Sequence, residues 1–393
     1  MTHAQPQKKS FFNMNVDLMH GPILKSLLLF MLPILVSNLF QQLYNTVDTM
    51  IVGNVLGDTA LAAIGSCGSI YELLVGFGIG IGNGLAIVAA RSYGAQDEDL
   101  LKRTVVGSVV IGLIASLVIT TAGFFGLHAL LQLLDTPAEI LEDAYSYIIV
   151  IDLGVVVMFM YNLCAGLLRA IGNSVMPLVF LLISSVLNVG LDLLFIMVFR
   201  WGVAGAAIAT VAAQLISTVA CFIYAFAKYP QLRLHREDMQ ITRGDIRRHV
   251  VQGVPLGLQF SVLAIGIIVM QGGVVQFDMR DGVMVSNAAQ NGFGAAHKLN
   301  NLLMTPFNGL GSAMTSFAAQ NLGAGDYARI RKGTLQALII AAVITAVMVG
   351  TGLLLTINGA YLHIFLSADK VTPETIRYGN AYLHIDLAML WYT

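Results

Sequence analysis

The chain has 393 residues, of which 57% are hydrophobic and 11% charged, and its formal net charge is −1. A soluble domain carries roughly 25% charged residues, so this surplus of apolar side chains predicts a protein that lies largely in lipid. The near-neutral charge argues against a nucleic-acid partner. The three cysteines fall within apolar runs and predict no disulfide framework.

Apolar stretches long enough to cross a bilayer, about 20 residues each, follow a polar lead at residues 1–22. None shows the period-two alternation of a membrane β-barrel, so the fold class is an all-α, multi-pass membrane protein. The ten predicted spans are 25–52, 60–91, 104–131, 144–168, 175–199, 203–227, 250–276, 283–319, 334–366 and 376 to the end. The charged segment 229–249 is predicted to link an N-terminal lobe, 23–228, to a C-terminal lobe, 250–393.

The basic residues predict the orientation of these spans. If the N-terminus is cytoplasmic, sixteen of the 21 Lys and Arg residues fall on the cytoplasmic side. Such a bias is typical of multi-pass proteins. We therefore predict a protein of the cell inner membrane with a cytoplasmic N-terminus.

The chain also repeats itself. Residues 89–97, Ala-Ala-Arg-Ser-Tyr-Gly-Ala-Gln-Asp, align with residues 318–326, Ala-Ala-Gln-Asn-Leu-Gly-Ala-Gly-Asp, and Pro33 has a counterpart in Pro255. Near-constant offsets predict two pseudo-symmetric lobes, a known transporter plan. The first lobe has six spans and the second three and part of a fourth. We expect an incomplete C-terminal lobe, about ten of twelve helices, with a natural ten-span protein as the alternative.

The first span carries a polar face. Asn38, Gln41, Asn45 and Asp48 recur at steps of three and four, which places them on one side of a helix. A carboxyl group within a span is costly and is expected to face a protein interior or a watery cavity. Pro33 lies before this face and is the predicted hinge. Asp48 is therefore a candidate ion-binding residue, and the three amides are candidate lining for a substrate cavity.

The fifth and sixth spans add further oxygen donors. Asn188 and Asp192 are four residues apart and share a face, and Thr210 of the sixth span could add a hydroxyl. Carboxylate and amide oxygens suit Na⁺, so Asp48, Asn188 and Asp192 form a candidate sodium site, although a carboxylate could carry a proton instead. The alternative is buried carboxyls that are satisfied internally and have no role in transport.

The eighth span has a second polar stripe, which must line either a cavity or a helix interface. Its candidate cavity residues are Asn291, Lys298 and Asn301. Lys298 is expected either to pair with Glu72 of the second span or to extend to the membrane edge. Asp152 lies near the end of the fourth span, where a solvated carboxylate is expected.

These residues together resemble the multidrug and toxic compound extrusion (MATE) family. The resemblance rests on four features: the Pro33…Asp48 helix, the duplicated Gly-Ala loop, Leu168-Arg169-Ala170-Ile171-Gly172-Asn173, and Asn188…Asp192 followed by the Gly202–Thr210 segment. It covers the whole chain in order. It implies two six-helix lobes around a central cavity that opens alternately to each side, and export driven by Na⁺ or H⁺.

The resemblance also bears on individual residues. Asp48, Asn188, Asp192 and Thr210 match the family's cation site, and Tyr161 matches its aromatic neighbour less closely. The seventh span, which reads Pro255-Leu256-Gly257-Leu258-Gln259-Phe260, lacks the acidic residue that some members carry.

The predicted function is a multidrug efflux antiporter that exchanges organic, often cationic or amphipathic compounds for Na⁺ or H⁺. We expect small organic substrates, a lipid bilayer, a monomer, no cofactor besides the coupling ion and no enzymatic activity. The first alternative is a lipid-linked precursor flippase of the same superfamily, which should line its cavity with several Arg or Lys residues. An intramembrane enzyme and a structural scaffold are the next alternatives. The sequence shows no nucleophile–base pair for an enzyme, and the carboxylates within spans disfavour a scaffold.

Overall fold

The computed structural model describes residues 15–134, 136–234, 240–280, 283–367 and 370–390. Residues 1–14 of the predicted lead, 235–239 of the predicted linker and the last residues, 391–393, lie outside this range. The described part of the chain is built almost entirely from helices, and its strands are limited to the two-residue pair Met279–Arg280 and Val283–Met284.

Thirteen α-helices are present in the described ranges. They are α1 (Ile23–Leu56), α2 (Asp58–Ser66), α3 (Gly68–Gly94), α4 (Glu98–Leu133), α5 (Ala138–Leu153), α6 (Val155–Ala170), α7 (Val175–Asp192), α8 (Gly202–Lys228), α9 (Arg243–Val275), α10 (Ala288–Gly323), α11 (Tyr327–Thr356), α12 (Leu362–Phe365) and α13 (Pro373–Met389). A π-helical turn, Leu193–Val198, extends α7.

The prediction of an all-α membrane protein is confirmed. Seven of the described helices are long and apolar enough to span a membrane, and α5 with α6 forms an eighth candidate that bends by 45°. Large apolar side chains remain exposed, such as Leu117 at 67% and Phe125 at 80%. This exposure is expected where a helix faces lipid, because lipid tails are as apolar as the side chains.

Several predicted boundaries differ from the structure, including those of the second, seventh and eighth spans. The second span is divided into α2 and α3 at Cys67. The eighth begins only at Ala288, because the strand pair precedes it. The seventh begins earlier than predicted, at Arg243, because Thr242 and Asp245 form a reciprocal capping box that starts the helix within the charged segment.

The duplicated loop has the same local structure in both copies. Gln96 and Gly325 both adopt a left-handed backbone, with φ of 55° and 75°. The next residue caps the following helix in each case: Asp97 accepts from the Leu100 amide at 2.9 Å, and Asp326 accepts from the Arg329 amide at 2.8 Å. The repeat seen in the sequence is therefore a repeat of backbone conformation.

Two lobes, α1–α8 and α9–α13, meet mainly where α3 packs on α9. Glycine is required at this contact, since a Cβ on Gly80 would lie 2.5 Å from the Leu256 carbonyl oxygen and one on Gly84 2.6 Å from that of Gln252. The ends of α3 and α10 also touch, where Gly94 packs against Gln320 and Gly323 against Arg91. We call this end of the bundle the closed end, defined by Gly94 and Gly323.

Candidate cation site and inter-lobe cavity

The polar face of α1 meets α7, and this contact brings two acids together. The carboxyl groups of Asp48 and Asp192 are in hydrogen-bond contact. Asp192 is fully buried and Asp48 half-buried. Asp48 Oδ1 and Asp192 Oδ1 have no hydrogen-bond partner among the described residues. Two carboxyls in contact must share a proton or hold a cation, because two adjacent negative charges repel strongly in a medium of low dielectric constant.

Asn188 and Thr210 complete the group predicted from the sequence. With the Asn188 amide oriented to satisfy both of its ends, its nitrogen donates to Asp192 Oδ2 at 2.8 Å and its oxygen lies 3.2 Å from Thr210 Oγ1. The structure thus brings Asp48, Asn188, Asp192 and Thr210 into one cluster across α1, α7 and α8. We call these four residues the carboxyl cluster.

Three tyrosines that the sequence analysis missed surround this cluster. The Tyr44 hydroxyl is in hydrogen-bond contact with Thr210. Tyr71 of α3 and Tyr147 of α5 lie close enough to interact electrostatically with Asp48. Tyr44 could have been found from the sequence, because it precedes Asp48 by one helical turn. Tyr71 and Tyr147 come from other helices, and only their packing places them here.

Tyr161, the aromatic neighbour suggested by the resemblance, lies elsewhere. Its hydroxyl donates to the Pro177 carbonyl oxygen at 3.1 Å, and its side chain belongs to the buried cluster around Cys164 and Cys221. Tyr147 of α5, rather than Tyr161, is the tyrosine that interacts electrostatically with Asp48. The predicted span was right, since α5 and α6 form one bent span, but the residue differs because the bend turns the two halves to different neighbours.

The carboxyl cluster has the ligands that a hard cation requires. Two carboxyls and a hydroxyl offer oxygen as ligand atoms, while the Asn188 amide holds Asp192 through its nitrogen and turns its oxygen towards Thr210. Oxygen ligands of this kind suit Na⁺ rather than a softer metal. Among the described residues, no three His, Cys, Asp or Glu side chains converge as a transition-metal site would require. The unpartnered oxygens on both acids fit a bound Na⁺ or a shared proton.

The side chains of the predicted substrate-cavity residues are exposed or half-buried in the structure. Gln41 donates to Asn45 at 3.4 Å on the polar face of α1. Three of the six residues, Asn45, Lys298 and Asn301, are exposed, and Asn38, Gln41 and Asn291 are half-buried. Glu72 and Lys298 form no ion pair within 4 Å in the described structure. Of the two alternatives for Lys298, pairing with Glu72 is therefore not seen among the described residues, and its side chain is exposed.

Asp152 is not solvated, contrary to expectation. It is fully buried at the end of α5, and Gly123 of α4 packs directly against its carboxyl group. Neither carboxyl oxygen has a hydrogen-bond partner among the described residues. Its position near a span end suggested water, but the bend at Gly154 keeps this end of α5 inside the lobe.

A cavity of about 320 Å³ lies between the lobes near the closed end. Helices α3 and α6 of the first lobe and α9 and α10 of the second lobe line it, and its polar residues include Asn83, Arg169, Gln259, Asn308 and Ser312. Of these, Asn308 and Ser312 continue the polar stripe of the eighth span. Arg169 follows the predicted fourth span directly, and nothing in the sequence indicates that it contacts a cavity.

The second lobe holds a different ionisable group. The Asp386 carboxyl of α13 lies beside the Tyr382 hydroxyl, and its buried Oδ2 has no hydrogen-bond partner among the described residues. Nδ1 of His297 in α10 lies 3.5 Å from that hydroxyl. The three residues of this group come from α10 and α13. Helix α9, which is the counterpart of α1, contributes none of them.

These features together define a class of protein: a two-lobed helical membrane transporter with an acidic cluster in one lobe and a cavity between the lobes. The MatE family model matches residues 33–194 and 267–392, well over half of the chain. The chain therefore belongs to the MatE family, whose members are transporters and not enzymes.

Several proteins named as transporters or as probable multidrug resistance proteins are similar to the chain. It is 31% identical over 320 residues to the probable multidrug resistance protein YpnP of Bacillus subtilis, covering 80% of this chain and 68% of YpnP. It is 29% identical over 374 residues to YoeA, a probable multidrug resistance protein from the same species, covering 92% and 77%. It is also 24% identical over 327 residues to a protein of Shewanella oneidensis named FAD transporter, covering 82% and 70%.

The fold is also found among solved structures. The chain superposes with a TM-score of 0.84 on an outward-facing multidrug resistance MATE family transporter, over 97% of this chain and 82% of that one, at 22% identity. This match confirms the predicted two-lobed helical fold.

Proposed function

We propose that the protein exports organic, often cationic or amphipathic, compounds in exchange for Na⁺ or H⁺ by alternating access. The observation that supports this proposal is the contact between Asp48 and Asp192, each of which has an Oδ1 atom without a hydrogen-bond partner among the described residues. A pair of acids in this state needs a proton or a cation. Its charge therefore changes when the coupling ion enters or leaves.

This change of charge is the proposed link between ion and solute. Asp48 lies on α1, which also contains Pro33, so a change at the cluster would favour either a straight or a bent α1 about that residue. In the structure α1 is continuous through Pro33, and Ser37 Oγ donates to the Pro33 carbonyl oxygen at 2.8 Å. By linkage, a solute that favours one form of α1 alters the affinity for the coupling ion by the same factor.

The proposed setting is the cell inner membrane, in which a monomer places its N-terminus and closed end in the cytoplasm. The support is the excess of Lys and Arg on that side of the chain. The multidrug substrate class is proposed because YpnP and YoeA are named as probable multidrug resistance proteins. The relative named FAD transporter extends the candidate solutes to organic anions.

The experiment that tests this proposal is transport by the purified protein in lipid vesicles. A cationic dye is followed while a sodium gradient or a proton gradient is imposed separately. We expect one of the gradients to drive dye movement, and we expect Asp48→Asn to abolish that drive while dye binding persists. Equal transport by the wild-type protein and Asp48→Asn would contradict the proposed role of the carboxyl cluster.

A further inference from the structure

We propose that the inter-lobe cavity beside Arg169 binds the anionic oxygen group, a phosphate or a carboxylate, of a transported compound. The inference rests on the proposed function, because it assumes a transported solute and assigns to it a chemical class that the carboxyl cluster alone would not select. It concerns a site that is separate from that cluster in position and opposite in charge.

Arg169 has an unusual environment for a half-buried cation. Its guanidinium makes no hydrogen bond or ion pair with any described residue, and the cavity lining contains no Asp or Glu. Its electrostatic neighbours are the neutral Tyr161 and Cys221 side chains. Removing a guanidinium from water without a counter-charge is costly, and the dipole at the end of α6 offsets only part of that cost. An anionic ligand would supply the missing charge.

The neighbouring side chains fit such a ligand. Asn83 of α3, Gln259 of α9 and Asn308 of α10 bring amide groups into the cavity, and Ser312 and Thr315 bring hydroxyls. A guanidinium fork combined with neutral donors is the usual way in which proteins hold phosphate or carboxylate oxygens. Phe260 and Phe307 line the same cavity and provide apolar surface for the organic part of the compound.

The position of the cavity separates it from the carboxyl cluster. Tyr71, which lies beside Asp48, and Asn83, which lines the cavity, are twelve residues apart on α3. A helical rise of 1.5 Å per residue gives a separation of about 18 Å. Both lobes contribute lining residues, so a bound anion contacts both lobes and loses part of its site when they separate.

The test compares two fluorescent flavins that share one ring system and differ by a phosphate. FMN and riboflavin are titrated separately into the purified full chain in a neutral detergent, and the quenching of flavin fluorescence gives each Kd. We expect FMN to bind about tenfold or more tightly than riboflavin, as a charge-assisted hydrogen bond would provide. Arg169→Gln should remove this preference and leave riboflavin affinity unchanged.

Two further variants keep the result interpretable. Arg91→Gln removes an exposed guanidinium near the closed end and should retain the preference for FMN. Ser312→Asp places a carboxylate in the cavity and should abolish the preference while Arg169 remains. If Arg169→Gln does not fold, the preference in Ser312→Asp decides the question: its loss supports the site, and its retention overturns it.

The source of the anion is tested by a second arm in nanodiscs, with and without phosphatidylglycerol. Competition between this lipid and FMN would identify a lipid headgroup as an occupant of the anion site. Absence of competition would identify a water-soluble compound as the occupant. Both outcomes require that the preference for FMN over riboflavin depends on Arg169. Equal binding of FMN and riboflavin by the wild-type protein, or a preference unaffected by Arg169→Gln, would overturn the proposal. Asp48→Asn should retain the preference, so a failure of cation exchange would leave this result standing.

Discussion

In the first lobe Asp48 and Asp192 face each other across α1 and α7, whereas in the second lobe Asp386 of α13 faces a tyrosine hydroxyl and a histidine. The first arrangement places two acids in contact and leaves Asp48 Oδ1 and Asp192 Oδ1 without a hydrogen-bond partner among the described residues. The second places a hydroxyl and an imidazole beside its acid, whose Oδ2 likewise has no partner among those residues. The carboxyl pair therefore depends on a proton or cation for its stability, because two adjacent negative charges repel, whereas no second acid in the described part of the chain contacts Asp386.

The repeat of the chain makes this asymmetry sharper. The sequence register that pairs Pro33 with Pro255 places Met270 where α1 has Asp48. Helix α9 has thus kept the proline but not the acid. We infer that the two lobes differ in function. The first lobe binds the coupling ion, and the second lobe provides the surface against which the first lobe moves.

The largest expected effect is on the carboxyl pair. Asp48→Asn removes one acid while preserving shape, so the pair no longer needs to take up and release a cation. We expect the stimulation of dye transport by the ion gradient to fall on the order of 100-fold. This value lies in the upper part of the range by which one ligand typically changes the affinity for another. The measurement is gradient-driven dye transport in vesicles, normalised to the amount of inserted protein.

A second prediction concerns the contact between the lobes. Gly84→Ala places a Cβ 2.6 Å from the Gln252 carbonyl oxygen. The lobes must therefore separate locally, or the backbone of α3 or α9 must become strained. Overpacking of this kind costs about 1–3 kcal/mol, and we expect both Tm and transport to fall. Gly78→Ala is the matched control, because a Cβ there meets no atom within 4 Å. Equal loss in both variants would contradict the role of the lobe contact, because a Cβ at Gly78 meets no atom and alanine favours a helix over glycine.

A third prediction distinguishes two tyrosines in the same bent span. Tyr147→Phe removes a hydroxyl that interacts electrostatically with Asp48, and we expect the affinity for the coupling ion to fall by about 2–5-fold, a small electrostatic effect. Tyr161→Phe removes a hydroxyl that serves the Pro177 carbonyl and should leave ion affinity unchanged. Ion titrations of dye transport provide both values. The reverse ranking would restore Tyr161 as the aromatic neighbour of the cation site.

The smallest effect is expected in the second lobe. Asp386→Asn leaves a side chain that can still accept a hydrogen bond from Tyr382, so we expect less than about a twofold change in gradient-driven transport. The assay is the same vesicle experiment used for Asp48→Asn. Comparable losses in the two variants would remove the distinction between the lobes and assign ion coupling to both.

Much of the fold and part of the site could be predicted from the sequence, because helical spacing is local. Asp48 on one helix and Asn188 with Asp192 on another were recognisable from steps of three and four and from the cost of acids within spans. The position of Tyr147 could not be predicted, because it depends on which helices pack beside α1.

Arg169 illustrates the same limit. A basic residue at the end of a span indicates topology in the sequence, and its contact with a cavity depends on α9 and α10 packing against α3 and α6. Asp152 was placed in water by its position near a span end. The bend between α5 and α6 buries it instead.

The central claim is that Asp48 and Asp192 exchange a bound cation for the transported compound. The most direct measurement follows the release of protons into weakly buffered solution, and of ²²Na⁺ from the protein, when a cationic dye binds to the purified chain. The account predicts release of one of these ions from the wild-type protein and none from the double variant Asp48→Asn, Asp192→Asn. Equal release from both proteins would contradict it.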